Sequence, residues 1–416
     1  MKENRSLEFK SDITNTFLKT VSAYANYGNG RILFGVDDDG NPVGLADTKQ
    51  TCLDIENRIN DSISPKPDYE LEIEDKKNIV ILRVNEGNYK PYLYRSKAYK
   101  RNDTATIEVD RLELTELILE GRNLTFDEIS QEGDELDFDY LQKKLKQTIG
   151  ISELTDDILK TLGFYTKDHH FNNAAALFAD CNSFHGIDIA KFGDSINYIL
   201  ERQTFSEESI LKQYDEAVEM YRRYYQFEVV NGIERKKVEM IPENAFREAI
   251  ANALVHRDWI VPAHIRVAMF TDHIEISSPG GLPRGMTKED YLSGHVSIVQ
   301  NPIIGNLFFR MHLIEQFGTG IQRIKESYLH NIRKPKFEIT ETSISVVLPV
   351  LNNNDISEDE KKVFALIEKG REISSSETAE ETGFGKSKAT LILKSLVDKG
   401  YAEKVGNGRG TRYRKL

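Results

Sequence analysis

The sequence predicts a multidomain α+β protein, on three observations. Its 416 residues are about three times the roughly 150 of a typical single domain. Segments with helical spacing of apolar residues alternate with short strands rich in branched residues. Charge is unevenly spread, so that a basic last stretch follows an acidic body. Hydrophobic residues at 39% and charged residues at 29% fit a globular chain, and argue against a membrane protein or full disorder. The longest apolar stretch, Ile344 to Leu351, is broken by Ser345 and Pro349 and is far shorter than the roughly 20 residues that span a bilayer. Met1-Lys2-Glu3-Asn4-Arg5 lacks the apolar core of a signal peptide, so no membrane partner and a cytoplasmic location are expected. Cys52 and Cys181 lie far apart, with no Cys or His at metal-ligand spacing, which excludes a disulfide framework and a structural zinc site.

Residues 1–122 read as an α+β domain. Phe17 to Tyr27 has helical spacing, Gly28-Asn29-Gly30 stops it, and Arg31-Ile32-Leu33-Phe34-Gly35-Val36 reads as a strand. Asp37-Asp38-Asp39-Gly40-Asn41 is a turn, followed by a short strand at Pro42 to Leu45. A strand at Asn78 to Val84 and the aromatic run Tyr89 to Tyr99 complete a small sheet. Glu3 and Glu8 precede the run Ala23 to Gly40, and this pattern resembles the Schlafen AlbA-type domain. In nuclease members of the wider Schlafen family an acidic trio hydrolyses RNA. The resemblance places Glu3, Glu8 and Asp37 in that role, with Lys10 as a phosphate contact. Three carboxylates on Mg²⁺ or Mn²⁺, with Glu8 and Asp37 as ligands, would activate water for phosphodiester hydrolysis. The alternative is binding without cutting, for which Arg95, Lys97, Lys100 and Arg101 with Tyr92, Tyr94 and Tyr99 offer a basic strip with aromatic interleaving.

Residues 123–165 are helical and acidic, with Glu128, Glu132, Asp134, Glu135, Asp137 and Asp139 close together, and read as a solvated connector. Residues 166–350 read as an α/β sandwich: helices over Glu207 to Arg223 and Glu243 to Val255, and strands at His264 to Phe270, His273 to Ser277 and Ser343 to Val350. In the second helix Glu248 and Asn252 are four apart and share a face. A carboxylate and an amide so placed suit a Mg²⁺-bound triphosphate, the first orienting water and the second coordinating metal. Pro279-Gly280-Gly281 ends a strand in a glycine turn. Phe317-Gly318-Thr319-Gly320-Ile321 is a second, leading into a helix, where backbone amides suit phosphate. With Gln300-Asn301-Pro302 between them, this ordered set resembles the divergent GHKL-type ATPase-like domain of bacterial proteins labelled RecG-like helicases or transcriptional regulators.

That resemblance implies a Bergerat-type fold and ATP with Mg²⁺. Glu248 matches the catalytic position, Asn252 the metal position, and Gly280, Gly281, Gly318, Thr319 and Gly320 the phosphate turns. One departure concerns adenine: Ser277-Ser278-Pro279 replaces the usual adenine-contacting Asp. No helicase activity follows, because no GxxxxGK[ST] phosphate loop occurs. His256 and Arg257 are read either as phosphate-site caps or as structural caps.

After the polar linker Leu351 to Asp355, residues 356–416 form a third unit. Ser357-Glu358-Asp359-Glu360 starts a helix, Ser374-Ser375-Ser376-Glu377 a second, and Lys386 to Lys399 is a third after the Thr382-Gly383-Phe384-Gly385 turn. A hairpin over 400–415 completes a pattern that resembles a winged helix-turn-helix. From Thr382 to Leu416 nine Lys and Arg face Asp398 and Glu403, a net charge of +7 inside a chain of -12. That excess suits phosphate neutralisation. Lys386, Ser387, Lys388 and Thr390 at the recognition-helix start would reach base edges; Arg409, Arg412 and Arg414 on the wing would meet phosphate or minor groove. The expected partners are DNA or RNA and further copies of the chain, as a homo-oligomer. Three functions stay open: a DNA-binding regulator with a nucleotide-sensing middle domain, a Schlafen-like nuclease under its control, and an oligomeric scaffold with degenerate sites.

Overall fold

The computed structural model describes residues 2–415 except 132, 134, 232–233, 284, 295–297, 315–317, 330, 332, 352–356, 368–370, 400 and 407. The side chains of Asn231, Glu234, Lys236 and Arg409 also lie outside the description, as do the expected sites at Phe317 and at the Arg409 guanidinium. Fourteen α-helices and several sheets among the described residues make the chain a mixed α+β structure. No helix of the described residues is long and apolar enough to cross a membrane.

The N-terminal sheet has the order Leu7–Lys10, Gly30–Phe34, Ile79–Val84, Tyr69–Glu74. Its first pair is parallel and the other two are antiparallel. The Phe17–Tyr27 helix buries Phe17, Leu18, Val21 and Tyr24 against Ile32, Phe34, Val80 and Leu82, as its spacing requires. Gly28 takes φ +148°, and a Cβ on Gly30 would fall 2.4 Å from the Tyr24 ring, so the glycine pair is what lets the chain reverse so closely. The expected strand at Pro42 to Leu45 shrinks to one bridge between Val36 and Pro42. Pro42 has no N–H to donate, and Gly44 at φ +76° turns the backbone away.

In the middle of the chain a six-stranded sheet runs Ile199–Phe205, Ile187–Phe192, Ile265–Met269, His273–Pro279, Ser343–Pro349, Lys336–Ile339. Ile187–Phe192 and Ile265–Met269 pair in parallel, with Ile187 opposite Ile265, and all other pairs are antiparallel. Helices Ile210–Tyr225 and Glu243–Val255 cover it, and Tyr221 stacks on Phe246 at 4.6 Å between them. The expected Glu207 to Arg223 helix starts later, at Ile210, because Glu207 takes φ +61°, outside the right-handed helical region.

The acidic stretch before this sheet is not a solvated connector. Leu141 and Leu145, on one face of the Asp139–Ile149 helix, are fully buried in the same core, and Phe164 stacks on Phe178 at 5.6 Å. The helix shows acid to solvent and leucine to the sheet, a division that charge counting alone hides. Asp127 is fully buried. Its Oδ2 accepts from the amides of Ile303 (2.7 Å) and Ile304 (3.2 Å), and its Oδ1 from Thr125 Oγ1 (2.6 Å). A carboxylate from far along the chain thus caps the Pro302–Arg310 helix, whose own N-cap Asn301 makes no such bond.

Helices Glu358–Leu366, Ser375–Thr382 and Lys386–Asp398 and the antiparallel pair Ala402–Val405 and Arg412–Lys415 share a separate core of Val363, Ile367, Leu393 and Leu396. Ser357 and Ser374 each close a capping box. Replacing Asp127 tests the remote cap. Asp127→Ala strands two helix amides and is expected to cost about 2–3 kcal/mol by denaturant unfolding, whereas Asp127→Asn, which keeps an acceptor oxygen, costs less than half of that.

Candidate nucleotide cavity and basic surfaces

The Glu243–Val255 helix buries Ala249, Ile250 and Leu254 on the sheet, which leaves Glu248 and Asn252 together on its other side. Glu248 is 8% exposed, and its Oε1 accepts from Asn252 Nδ2 at 3.3 Å. The Gly320–Ser327 helix begins directly opposite. A Cβ on Gly320 would fall 2.5 Å from Glu248 Oε1 and 2.6 Å from Asn252 Nδ2, so only glycine allows this approach. Glu248, Asn252, Gly318 and Gly320 line one cavity of about 170 Å³, closed elsewhere by Val255, His256, Tyr291, Ile298, Gln300 and Ile344. Thr319 lies between the two lining glycines at the helix start.

The other glycine turn lines a small adjoining cleft through Gly280, beside His256, Ser278 and Tyr291. Gly280 takes φ +101° with its Cα packed on Asp258, and Gly281 packs on the Glu341 carbonyl. Ser278 Oγ donates to Ala253 O at 3.0 Å and Ser345 Oγ to Ser277 Oγ at 2.9 Å. The Ser277 and Ser278 hydroxyls are thus engaged within the fold.

The cavity walls are fixed by buried polar groups. Asn301, 1% exposed, donates through Nδ2 to Val255 O and Arg257 O, both at 2.9 Å, and so closes the end of the Glu243–Val255 helix. Arg257 is also 1% exposed, donates to His185 O at 2.7 Å and to the Val261 and Ala263 carbonyls, and lies over the Trp259 ring at 4.3 Å. Of the two readings for Arg257, the structural one holds. On the far wall, Gln322 Nε2 donates to Ser293 O at 3.1 Å and Lys325 Nζ to Leu292 O at 2.9 Å, tying the Gly320–Ser327 and Lys288–Ser293 helices together. Burial pushes the Tyr291 hydroxyl up to about 12 and lowers His256 to about 4, so the imidazole facing the cavity is neutral at pH 7.

The acidic trio does not converge. Glu8, 5% exposed, accepts from Thr20 Oγ1 (2.6 Å) and pairs with Lys10 (2.7 Å) and with the buried Arg101 (2.7 Å). Glu3 accepts from the Phe9 amide at 2.7 Å. Asp37 is spent on its own turn: the Asn41 amide at 2.7 Å is the chief cause that lowers its pKa, with the Asp39 amide at 3.1 Å adding to it. Among the described residues no group of three or more His, Cys, Asp or Glu is placed to hold a metal ion. Of the basic strip, Arg95 and Lys97 are exposed, with Arg95 over the Tyr94 ring at 5.3 Å. Arg101 is inside, donating also to Asn4 O at 3.2 Å, and Lys100 is paired with Glu113.

On the C-terminal unit Lys386, Ser387, Lys388 and Thr390 are all exposed at the start of their helix. Lys388 pairs with Asp359 at 2.6 Å and lies over the Phe384 ring at 4.3 Å. Arg412 meets Glu377 at 3.4 Å and Arg414 pairs with Glu403, so acidic neighbours temper the +7 surface.

An α+β unit thus precedes a helix-on-sheet sandwich whose glycine-walled cavity carries a Glu/Asn pair. Residues 3–110 match the family model described as Schlafen, AlbA_2, and residues 263–348 that described as "Putative ATP-dependent DNA helicase recG C-terminal". Both resemblances read from the motifs are therefore matched. The Glu248 and Asn252 helix lies just before the second match. No curated protein matches the chain. Among solved structures, the DIP2311 protein from Corynebacterium diphtheriae is 21% identical, with 99% of this chain and 92% of that chain covered and a TM-score of 0.49. The N-terminal domain of a RecG-related protein from Nitrosomonas europaea is 24% identical, with 25% of this chain and 78% of that one covered and a TM-score of 0.20.

His256 gives the cavity a pH signature. Its folded pKa lies below the ordinary 6.5 because burial disfavours the cation, so its contribution is intact above pH 6.5 and is lost as pH falls toward 4. Acid unfolding should cost up to about 3 kcal/mol in that window, and His256→Gln should flatten this part of the stability profile.

Proposed function

We propose that the chain is a DNA-binding regulator whose sandwich cavity takes a nucleotide. The carrying observation is the approach of the Gly318 to Gly320 turn to the Glu248 and Asn252 pair inside one cavity. The phosphate half fits ATP: glycine backbone amides and the Asn252 side chain would hold the phosphates, with Mg²⁺ entering on them, and Glu248 is the acid placed to order water. The base half departs from the family, since Ser277 and Ser278 are engaged within the fold, so the base would rest on apolar walls and the neutral His256. The matched family names, Schlafen AlbA_2 and RecG C-terminal, support a DNA-related and ATPase-like role. The three helices and hairpin of 356–416 would act as a winged helix-turn-helix, with Lys386, Ser387, Lys388 and Thr390 at the bases and Arg412 and Arg414 trading acidic neighbours for phosphate.

Calorimetric titration with ATP and Mg²⁺ tests the cavity. Saturable binding is expected, weakened at least tenfold in Asn252→Ala and abolished in Gly320→Ala, whose Cβ meets Glu248. Absence of binding to the unaltered chain rejects the reading. For the DNA arm, Lys386→Glu with Lys388→Glu should lower duplex affinity more than tenfold at moderate salt and reduce its salt slope; an unchanged slope moves DNA binding elsewhere.

A further inference from the structure

The six-stranded sheet ends in an open edge. Ile199–Phe205 has a partner on one side, Ile187–Phe192, and is the terminal strand of the order among the described residues. The turn that feeds it places Ile196, Tyr198 and Leu200 in solvent at 63–69% exposure, with Ile199 beside them at 54%. A second hairpin, Gln226–Asn231 with Glu234–Glu239, exposes Phe227 and Val230 at 49% and 64%. Both start beside the same corner of the six-stranded sheet. Phe192 stacks on Phe270 at 5.1 Å, Lys191 donates to Phe270 O at 3.0 Å, and Tyr225 OH donates to that same carbonyl at 2.5 Å, immediately before the second hairpin begins.

Soluble proteins ordinarily guard such an edge with charge, proline or a bulge, because its unpaired N–H and C=O groups recruit other strands. Here the charges that would do so are consumed within the chain. Glu201 is held by Arg223 and by Tyr224 OH, each at 2.6 Å, and Arg202 by Asp188 at 2.7 Å. A bulge at Leu200, between Ile199 and Glu201, interrupts the pairing with Ile187–Phe192, so the regular part of the edge runs from Glu201 to Phe205. A large apolar residue offers roughly 200 Å² when fully exposed. At the exposures above the six side chains leave roughly 700 Å² of apolar-residue surface, close to the about 800 Å² that each partner contributes to a standard interface.

We infer that this corner is a self-association surface whose occupant is a second copy of the chain. The regular edge Glu201–Phe205 pairs antiparallel with its own copy about a twofold axis, and the two apolar hairpins close over the joint. An antiparallel edge is self-complementary about such an axis, and an isologous contact brings the same apolar patch from both sides. This goes beyond the nucleotide and DNA reading and does not rest on it.

Sedimentation velocity of the full chain over a concentration series tests it, without nucleotide or DNA. The expected species has twice the 47.6 kDa chain mass. Leu200→Glu and Phe227→Lys, one on each hairpin, should each raise the dimer dissociation constant at least tenfold while leaving the thermal melting of the monomer cooperative. Leu53→Glu, on a residue 53% exposed in the N-terminal unit, should leave the dimer intact. A chain that stays monomeric throughout, or a dimer that survives both hairpin substitutions, overturns the inference.

Discussion

The cavity depends on one buried carboxamide. Asn301 donates to the carbonyls of Val255 and Arg257, and those two bonds end the Glu243–Val255 helix where a buried helix end would otherwise leave its carbonyls unpaired. The same bonds fix the position of the residues on either side of Asn301, and Gln300 and Pro302 line the cavity. Asp127 then takes over where Asn301 leaves off, since its carboxylate receives the first amides of the next helix. Arg257 ties the segment after the first helix back to the sheet. Three buried polar side chains therefore set one wall. The opposite wall rests on the partly buried Gln322 and Lys325, so the two sides differ in how firmly they are built.

Charge in this chain is handled by burial and pairing rather than by broad fields. Glu8 and Arg101 neutralise each other inside the N-terminal unit, where a lone ion would be costly. Glu360 shows the same logic in the C-terminal unit: burial pushes its carboxyl up, yet Lys399, Ser395 and the Ser357 amide more than offset that and hold it at about 2. Such pairs spend charges that a reading of composition assigns to ligands, and the +7 tail is accordingly less free than its count.

What the sequence made legible follows from range. The helices Phe17–Tyr27 and Glu243–Val255 stand at the predicted bounds, because apolar spacing and glycine or histidine stops are local signals. The approach of Glu248, Asn252, Gly318 and Gly320 was legible only through an ordered motif set, since it joins segments some 70 residues apart in the printed sequence. Contacts decided by a distant partner stayed hidden. Arg101 looks like a surface cation until Glu8 is seen beneath it, and Asp127 looks like one more solvated acid until the Ile303 and Ile304 amides reach it. The hairpin Gln226–Asn231 with Glu234–Glu239 was missed although the sequence carries Asn231-Gly232, a strong hairpin signal, because its second strand, Glu234 to Glu239, is mostly charged and reads poorly as a strand.

Hydrogen exchange in the Gly320–Ser327 helix reads most directly whether the cavity takes a nucleotide. With saturating ATP and Mg²⁺ the amides of the Gly320–Ser327 helix should exchange at least several-fold more slowly than in the free chain, while the Glu243–Val255 helix, already buried, changes little. Identical exchange in both states would contradict it.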